Sequence, residues 1–204
     1  MQLTWQGKAG LSQAGSCPSN AFQTKYAEIL SHCATPSHWS TCDTIEAAID
    51  DGHLYLTYIV PKCRSLNIDP LAAYWMVCWD VYSSHRDAAL LARLKAKYPR
   101  LLISFVPASC TSELQALDVG FNGPFKGWIT HFANKWLAAD IRRQLEADPD
   151  PTRIRLGMKK SDLVEPFCGW IADATAVMKT KPALILRCWE KTGVLVACVG
   201  VRDR

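Results

Sequence analysis

The spacing of hydrophobic and polar residues changes along the chain, and each spacing predicts a different element. Met1 to Gln6 alternates apolar and polar side chains, which predicts a half-buried strand. Two short apolar runs, Tyr74 to Trp79 and Leu101 to Val106, predict buried strands, the first of them covered on both faces. Between them, Asp87 to Tyr98 carries leucines at helical spacing. The order strand, helix, strand predicts a parallel βαβ unit and therefore an α/β fold.

The segment between the first strand and this unit combines a turn-rich part with a helical part. Residues 7–37 contain Gly, Ser, Pro and Asn around one short apolar stretch, which predicts a loop-rich insertion. A helix is predicted to begin at Ser40, where Asp43 follows at the spacing of a capping box. Asp50-Asp51-Gly52 is expected to loosen this helix midway, and Pro61 is expected to stop it.

The second half of the chain is predicted to be helical. Its longest helical pattern opens at Gly123-Pro124, and a stripe of Trp128, Phe132 and Trp136 favours core packing over a surface for stacking bases. Residues 148–153 are predicted to be a linker, and short helices follow it. The final apolar stretch, residues 194–201, fits a strand or a frayed end equally well.

Composition narrows the class of protein. The chain has 204 residues, of which 49% are hydrophobic and 21% charged, so it is neither a disordered tail nor a fibrous repeat. No apolar run reaches the roughly 20 residues of a membrane helix, and the first 30 residues lack the pattern of a signal peptide. We therefore expect an intracellular protein that is not secreted and has no membrane partner. The net charge of +4 permits nucleic-acid binding without arguing for it.

The nine cysteines are scattered and form no CxxC pair, which favours reduced thiols that fill core space. Cys33, His38 and Cys42 resemble half of a zinc site, but no second half with ligand spacing follows.

Two aspartates lie at positions where α/β folds commonly bind ligands. Asp80 ends the first buried run, and Asp118 precedes the long helix. If the two strands are adjacent, both carboxylates can meet at one edge of the sheet and offer oxygen ligands to Mg²⁺ or Mn²⁺. The alternative for Asp80 is that it caps the helix after its strand.

The segments around both aspartates resemble a known family. The run FVPASCTSELQALDVGFNGPFK, residues 105–126, is similar to the hallmark segment of DDE superfamily endonucleases, the catalytic domains of pogo-like transposases and of proteins derived from them. Ala116 stands where that family usually has Pro. Trp79 to His85 (WDVYSSH) resembles the family's strand-end Asp and following His, and Gln2 to Lys8 resembles one of its strands.

The resemblance implies an RNase H-like fold, a mixed sheet flanked by helices with an acidic triad that binds Mg²⁺ or Mn²⁺. Asp80 matches the second catalytic carboxylate and Asp118 the third, so both are expected to be catalytic residues and metal ligands. Glu113 lies in a variable slot of the motif and ranks below Asp118. The first carboxylate belongs on a strand ahead of Gln2, a place that precedes Met1. We therefore expect a truncated sheet that lacks its first strand, and impaired activity.

The resemblance also implies a domain organisation, a partner and a location in the cell. Residues 1–147 are predicted to form the endonuclease domain and residues 148–204 a linker with a C-terminal helical extension. DNA in the nucleus is the expected partner, with the oligomeric state open between monomer and homo-oligomer. The alternative function is a non-catalytic nucleic-acid-binding or protein-interaction remnant of a transposase.

Four side chains are weaker candidates for contacts with nucleic acid, namely His85, Lys126, Lys135 and Arg142. Lys135 and Arg142 are seven residues apart on the long helix and share a face that can meet phosphates. The alternative for the three cations is an ordinary solvated helix face. The alternative for His85 is a hydrogen bond to backbone at the start of a helix.

Overall fold

The computed structural model describes residues 2–6, 31–35, 41–50 and 54–194. Ser40, residues 51–53 and residues 195–201 lie outside these ranges, and so do the predictions of a helix start, a loosened helix and a terminal strand that fall on them. His38 of the considered zinc half-site lies outside them as well. No helix within the described ranges has the length and apolarity needed to cross a membrane.

The first strand is confirmed, and it has a partner that the sequence pattern did not predict. β1 (Gln2–Gln6) pairs in parallel with β2 (Ser31–Thr35), with Gln2 opposite Ser31. The predicted loop-rich insertion over residues 7–37 did not include this strand. Its sequence, SHCAT, lacks the alternating β-branched and aromatic residues that mark a strand, so backbone pairing defines it instead.

The predicted parallel βαβ unit is confirmed. It consists of β3 (Trp75–Trp79), α3 (Ala88–Lys97) and β4 (Leu101–Phe105), with Trp75 opposite Leu101 and Trp79 opposite Phe105. One hydrophobic cluster joins one face of this sheet to α3 and to α1 (Cys42–Asp50). Its buried members are Ile45, Ile49, Trp75, Leu90, Leu94, Tyr98 and Leu101.

The prediction of a fully buried strand is wrong for β4, whereas every residue of β3, the strand predicted to be covered on both faces, is at least partly buried. Burial alternates along β4, where Leu101 is buried and Leu102 is exposed. The reason is that α1 and α3 both pack on the side of the sheet that carries Trp75 and Leu101. Among the described residues, the opposite face of the β3–β4 sheet remains partly open to solvent.

The helix predicted from Ser40 to Pro61 is divided into shorter pieces. α1 begins after Thr41, whose side chain accepts the Thr44 N–H while the Thr44 hydroxyl accepts the Thr41 N–H, at 3.3 and 2.8 Å. A π-helical turn (Tyr55–Ile59) leads into α2 (Val60–Ser65). Pro61 thus lies in the first turn of a helix and does not end one, because a helix needs no backbone N–H at that position.

The second half of the described chain is helical, as predicted. The short α4 (Thr111–Leu114) and a π-helical turn (Leu117–Phe121) precede the long α5 (Asn122–Ala147). The predicted linker contains a 3₁₀ turn (Pro151–Arg153). It is followed by α6 (Lys160–Lys179) and α7 (Pro182–Lys191).

α5 and α6 pack as an antiparallel pair around a second hydrophobic cluster. Trp136 meets Trp170 at 5.7 Å between ring centroids, while Trp128 near the start of α5 meets Lys181 beyond the end of α6. The buried members of the cluster are Phe125, Cys168, Ile171, Ala172, Ala174 and Met178. Trp128 and Phe132 pack against them, so these aromatic side chains belong to the hydrophobic core.

The predicted domain boundary after residue 147 stays a prediction. The two helices that flank it, α5 and α6, share this hydrophobic cluster.

Candidate active site at the carboxyl end of β3

Asp80 follows directly on the last residue of β3, at the edge of the sheet where β4 also ends. The ladder between the strands is closed by a hydrogen bond of 2.7 Å from the Val106 N–H to the Trp79 carbonyl. This bond fixes the backbone immediately before Asp80. The carboxylate therefore stands at the carboxyl ends of two parallel strands, the edge at which α/β folds place their ligands.

The Asp80 carboxylate is held by its own following turn. Its Oδ1 accepts the Tyr82 N–H at 3.1 Å and lies 2.6 Å from Nδ1 of His85. A 3₁₀ turn (Ser83–Arg86), in which the His85 N–H donates to the Tyr82 carbonyl, brings the histidine back to the strand end. A spacing of five residues thus joins a carboxylate and an imidazole in one pair.

The ring of His85 is fixed from two sides. It stacks on Trp79, with 5.1 Å between centroids and 18° between planes, and its edge meets Tyr82 at 5.7 Å. The His85 side chain is 22% exposed and that of Asp80 is 39% exposed, so solvent and solutes reach both. The pair is therefore pre-oriented and still open to a ligand.

The structural alternatives for these two residues are not what the structure contains. The N-cap of α3 is Asp87, whose Oδ1 accepts the Leu90 N–H at 2.8 Å, so Asp80 does not cap that helix. The His85 ring bonds to a carboxylate and not to backbone. Asp80 thus bonds to the backbone of the 3₁₀ turn and to His85, and it does not cap α3.

Cys42 supports the same turn, and nothing in the sequence signals it. Its thiol lies 3.9 Å from the Ser84 carbonyl, a weak hydrogen bond that links the start of α1 to the 3₁₀ turn. Burial raises the pKa of the Cys42 thiol, and the nearby Asp87 carboxylate raises it further. The thiol is therefore protonated at neutral pH and acts as a donor, not as a nucleophile.

Asp118 lies in a different local setting. It belongs to the π-helical turn before α5, is exposed, and its Oδ1 accepts a hydrogen bond of 2.7 Å from the Asn122 amide. The same turn packs against α7 at Gly120, where an added Cβ would come within 2.9 Å of Cys188 Sγ. A side chain at position 120 would therefore require Cys188 to move.

Asp80 and His85 are brought together, and Asp118 does not join them in a three-residue site. In the part of the chain that the structure describes, no three His, Cys, Asp or Glu side chains form a group that could hold a metal ion. Asp80 and Asp118 are hard oxygen donors, the type that Mg²⁺ and Mn²⁺ prefer, so the donor chemistry fits these ions. That the two carboxylates meet on shared ions stays a prediction.

The three candidate cations lie along α5. Lys126, Lys135 and Arg142 are exposed, and within the described residues none of them is in an ion pair. The neighbouring Arg143, by contrast, is bound to Asp140 one turn earlier.

Comparison of the chain with protein-family models, with curated proteins and with solved structures finds no match.

Proposed function

We propose that this chain is a transposase-derived DDE endonuclease domain with an RNase H-like fold that acts on DNA phosphodiester bonds in the nucleus. One observation carries the proposal, namely that Asp80 follows a strand of a parallel βαβ unit and is paired with His85. The resemblance of the WDVYSSH segment implies an Asp at a strand end with a His after it, and the pairing of the two side chains adds to that support. The similarity of residues 105–126 to the family's hallmark segment supports it independently.

Asp80 and Asp118 are the residues that would hold a divalent ion. In such a site the ion supplies activation of the attacking oxygen and stabilisation of the leaving oxygen. The protein's own part is to fix the carboxylates, which Tyr82 and His85 do for Asp80 and Asn122 does for Asp118. The resemblance implies one further carboxylate, on a strand that precedes the one similar to Gln2 to Lys8.

The proposal is tested by nicking of supercoiled plasmid with Mn²⁺. We expect slow nicking by residues 1–204, and faster nicking by a chain extended upstream to include the first carboxylate. Asp80→Asn and Asp118→Asn should each lower the rate by at least about 100-fold, because removal of a group that stabilises developing charge costs this much in other enzymes. Asp173→Asn, an exposed aspartate on α6, is the matched control and should keep the rate of the unaltered chain.

Two outcomes would contradict the endonuclease proposal. The first is nicking by the extended chain that survives Asp118→Asn undiminished, since the activity would then come from elsewhere. The second is the absence of nicking from both chains at any Mn²⁺ concentration.

A second candidate is a nucleic-acid-binding remnant without catalysis. The observation that favours it is the set of exposed cations on α5 that have no ion-pair partner in the described part of the chain. Unpaired cations at helical spacing can contact successive phosphates of a DNA backbone. DNA binding by a chain that does not nick DNA under any of the above conditions would identify this function.

A further inference from the structure

The described part of the chain contains two hydrophobic clusters, and no residue belongs to both. The first lies in the N-terminal unit, which comprises α1 and residues 54–106. The second lies in the C-terminal unit, residues 110–194. Val106 and Ala116 are the nearest buried residues on the two sides of the connection between the units, and they belong to neither cluster. The apolar core is therefore interrupted between β4 and α5.

Polar contacts reinforce each unit from within. In the N-terminal unit, the Asp50 carboxylate at the end of α1 accepts a hydrogen bond of 2.6 Å from the Tyr98 hydroxyl. In the C-terminal unit, the Gln144 side chain on α5 accepts the Arg155 N–H at 2.8 Å and donates to the Arg155 carbonyl at 2.9 Å. Each cluster is thus supported by long-range contacts of its own unit.

The connection between the units is exposed and contains a strained backbone conformation. Pro107, Ala108 and Ser109 are all exposed. The Cys110 N–H donates to the Pro107 carbonyl at 3.1 Å, which closes a tight turn. Ser109 has a φ of +65°, in the left-handed region that a serine side chain disfavours. Rotation of Ser109 out of this region would relieve its strain and redirect the chain that follows.

We infer that residues 107–110 are a hinge between two units that fold and move separately. Units with their own cores can unfold independently, and hinges are short loop segments that absorb changes in φ and ψ. Asp80 lies in the N-terminal unit and Asp118 in the C-terminal unit, so rotation at the hinge changes the distance between their carboxylates. The inference does not rest on the proposed function, because it concerns the chain in the absence of DNA.

Calorimetric unfolding of the whole chain tests whether the units are separate, with one large-to-small variant in each cluster. Leu94 is 0% exposed in the first cluster and Met178 is 2% exposed in the second. We expect two transitions. Leu94→Ala should lower the midpoint of one by at least about 8 °C, and Met178→Ala that of the other, because each removes buried apolar volume. Neither variant should move the transition of the other unit.

The control for calorimetry is Asp173→Asn, at an exposed position of α6, which should move neither midpoint. A single transition that Leu94→Ala and Met178→Ala both lower would overturn the inference, since the two clusters would then unfold together. If Leu94→Ala prevents the N-terminal unit from folding, the transition that Met178→Ala lowers should still be present. Loss of both transitions in that variant also overturns the inference.

Residual dipolar couplings of backbone N–H groups in a weakly aligned sample test the motion independently of stability. The couplings of each unit should fit one alignment tensor, and the two tensors should differ in magnitude, because units that reorient relative to each other average differently. Tensors of equal magnitude would overturn the hinge. Ser109→Gly should widen the difference, because glycine adopts both backbone regions without steric cost. An unchanged difference in this variant would overturn the assignment of the hinge to residues 107–110.

Discussion

At the scale of single residues, the buried carboxylate of Asp50 shows how a side chain with a poor helical propensity can be a tertiary anchor. Asp50 is 8% exposed and ends α1. Its Oδ1 accepts a hydrogen bond of 2.6 Å from the Tyr98 hydroxyl, and its Oδ2 is bound by the Lys97 ammonium group. Asp50 therefore ties the end of α1 to the end of α3.

Substitution of Tyr98 by Phe tests this anchor. We expect the free energy of unfolding in urea to fall by about 1–3 kcal/mol, because a buried charged acceptor loses one of its donors. Tyr74→Phe is the matched control, since its hydroxyl is also hydrogen-bonded, to Arg100, but the side chain is exposed. The control should change stability by no more than about 0.5 kcal/mol. Equal effects in the two variants would show that burial of Asp50 contributes nothing.

At the scale of elements, the contact between the π-helical turn (Leu117–Phe121) and α7 depends on the absence of a side chain at position 120. A Cβ built on Gly120 lies 2.9 Å from Sγ of Cys188, which is buried, whereas one built on Gly127 meets nothing within 4 Å. The turn carries Asp118, so this contact also fixes the backbone of a candidate ligand.

Gly120→Ala should therefore lower the free energy of unfolding by about 1–3 kcal/mol, the usual effect of overpacking. Gly127→Ala, in the exposed interior of α5, should raise it by about 0.5–1 kcal/mol, because alanine loses less backbone entropy in a helix. The double variant Gly120→Ala with Cys188→Ala should recover part of the loss, as thermal melting would show. Failure of the second substitution to recover any stability would mean that the sulfur atom is not the obstacle.

Also at the scale of elements, the sequence predictions located the elements that bury an apolar face. They missed a strand that is held by backbone pairing and carries no apolar pattern. β3, β4 and α3 bury apolar residues on a shared face, and the hydrophobic pattern located all three. β2 was missed because its sequence carries no such pattern, and Pro61 was misjudged because proline fits the first turn of a helix as well as the position after one.

The candidate site was predictable in part for the same reason. A carboxylate after an apolar strand marks the edge of a sheet, so the position of Asp80 followed from the sequence. The bond between Asp80 and His85 did not, because it depends on the 3₁₀ turn that reverses the chain between them. The contribution of Cys42 depends on packing between segments that are about 40 residues apart, which no local pattern encodes.

At the scale of the whole molecule, the net charge is +4. Three of the cations, Lys126, Lys135 and Arg142, lie on α5 and have no ion-pair partner among the described residues. If the chain binds DNA through this helix, each cation that contacts a phosphate displaces about one counterion. Lys135→Ala and Arg142→Ala should each lower the slope of log affinity against log salt by about 1, measured by fluorescence anisotropy with a short duplex. Arg143→Ala removes a cation already bound to Asp140 and is the control. Unchanged slopes in both variants would exclude this face of α5.

The one-sided burial of the β3–β4 sheet affects how the stability of the whole chain varies with temperature. Large apolar side chains of the described residues are more than half exposed in the native state, namely Leu102 on β4 and, outside the sheet, Leu56, Tyr58, Leu66, Leu71 and Tyr74. The heat capacity of unfolding arises mainly from apolar surface that water reaches only after unfolding, and these groups add little to it. The curve of unfolding free energy against temperature should consequently be flatter than is usual for a chain of 204 residues, with cold denaturation shifted to lower temperature.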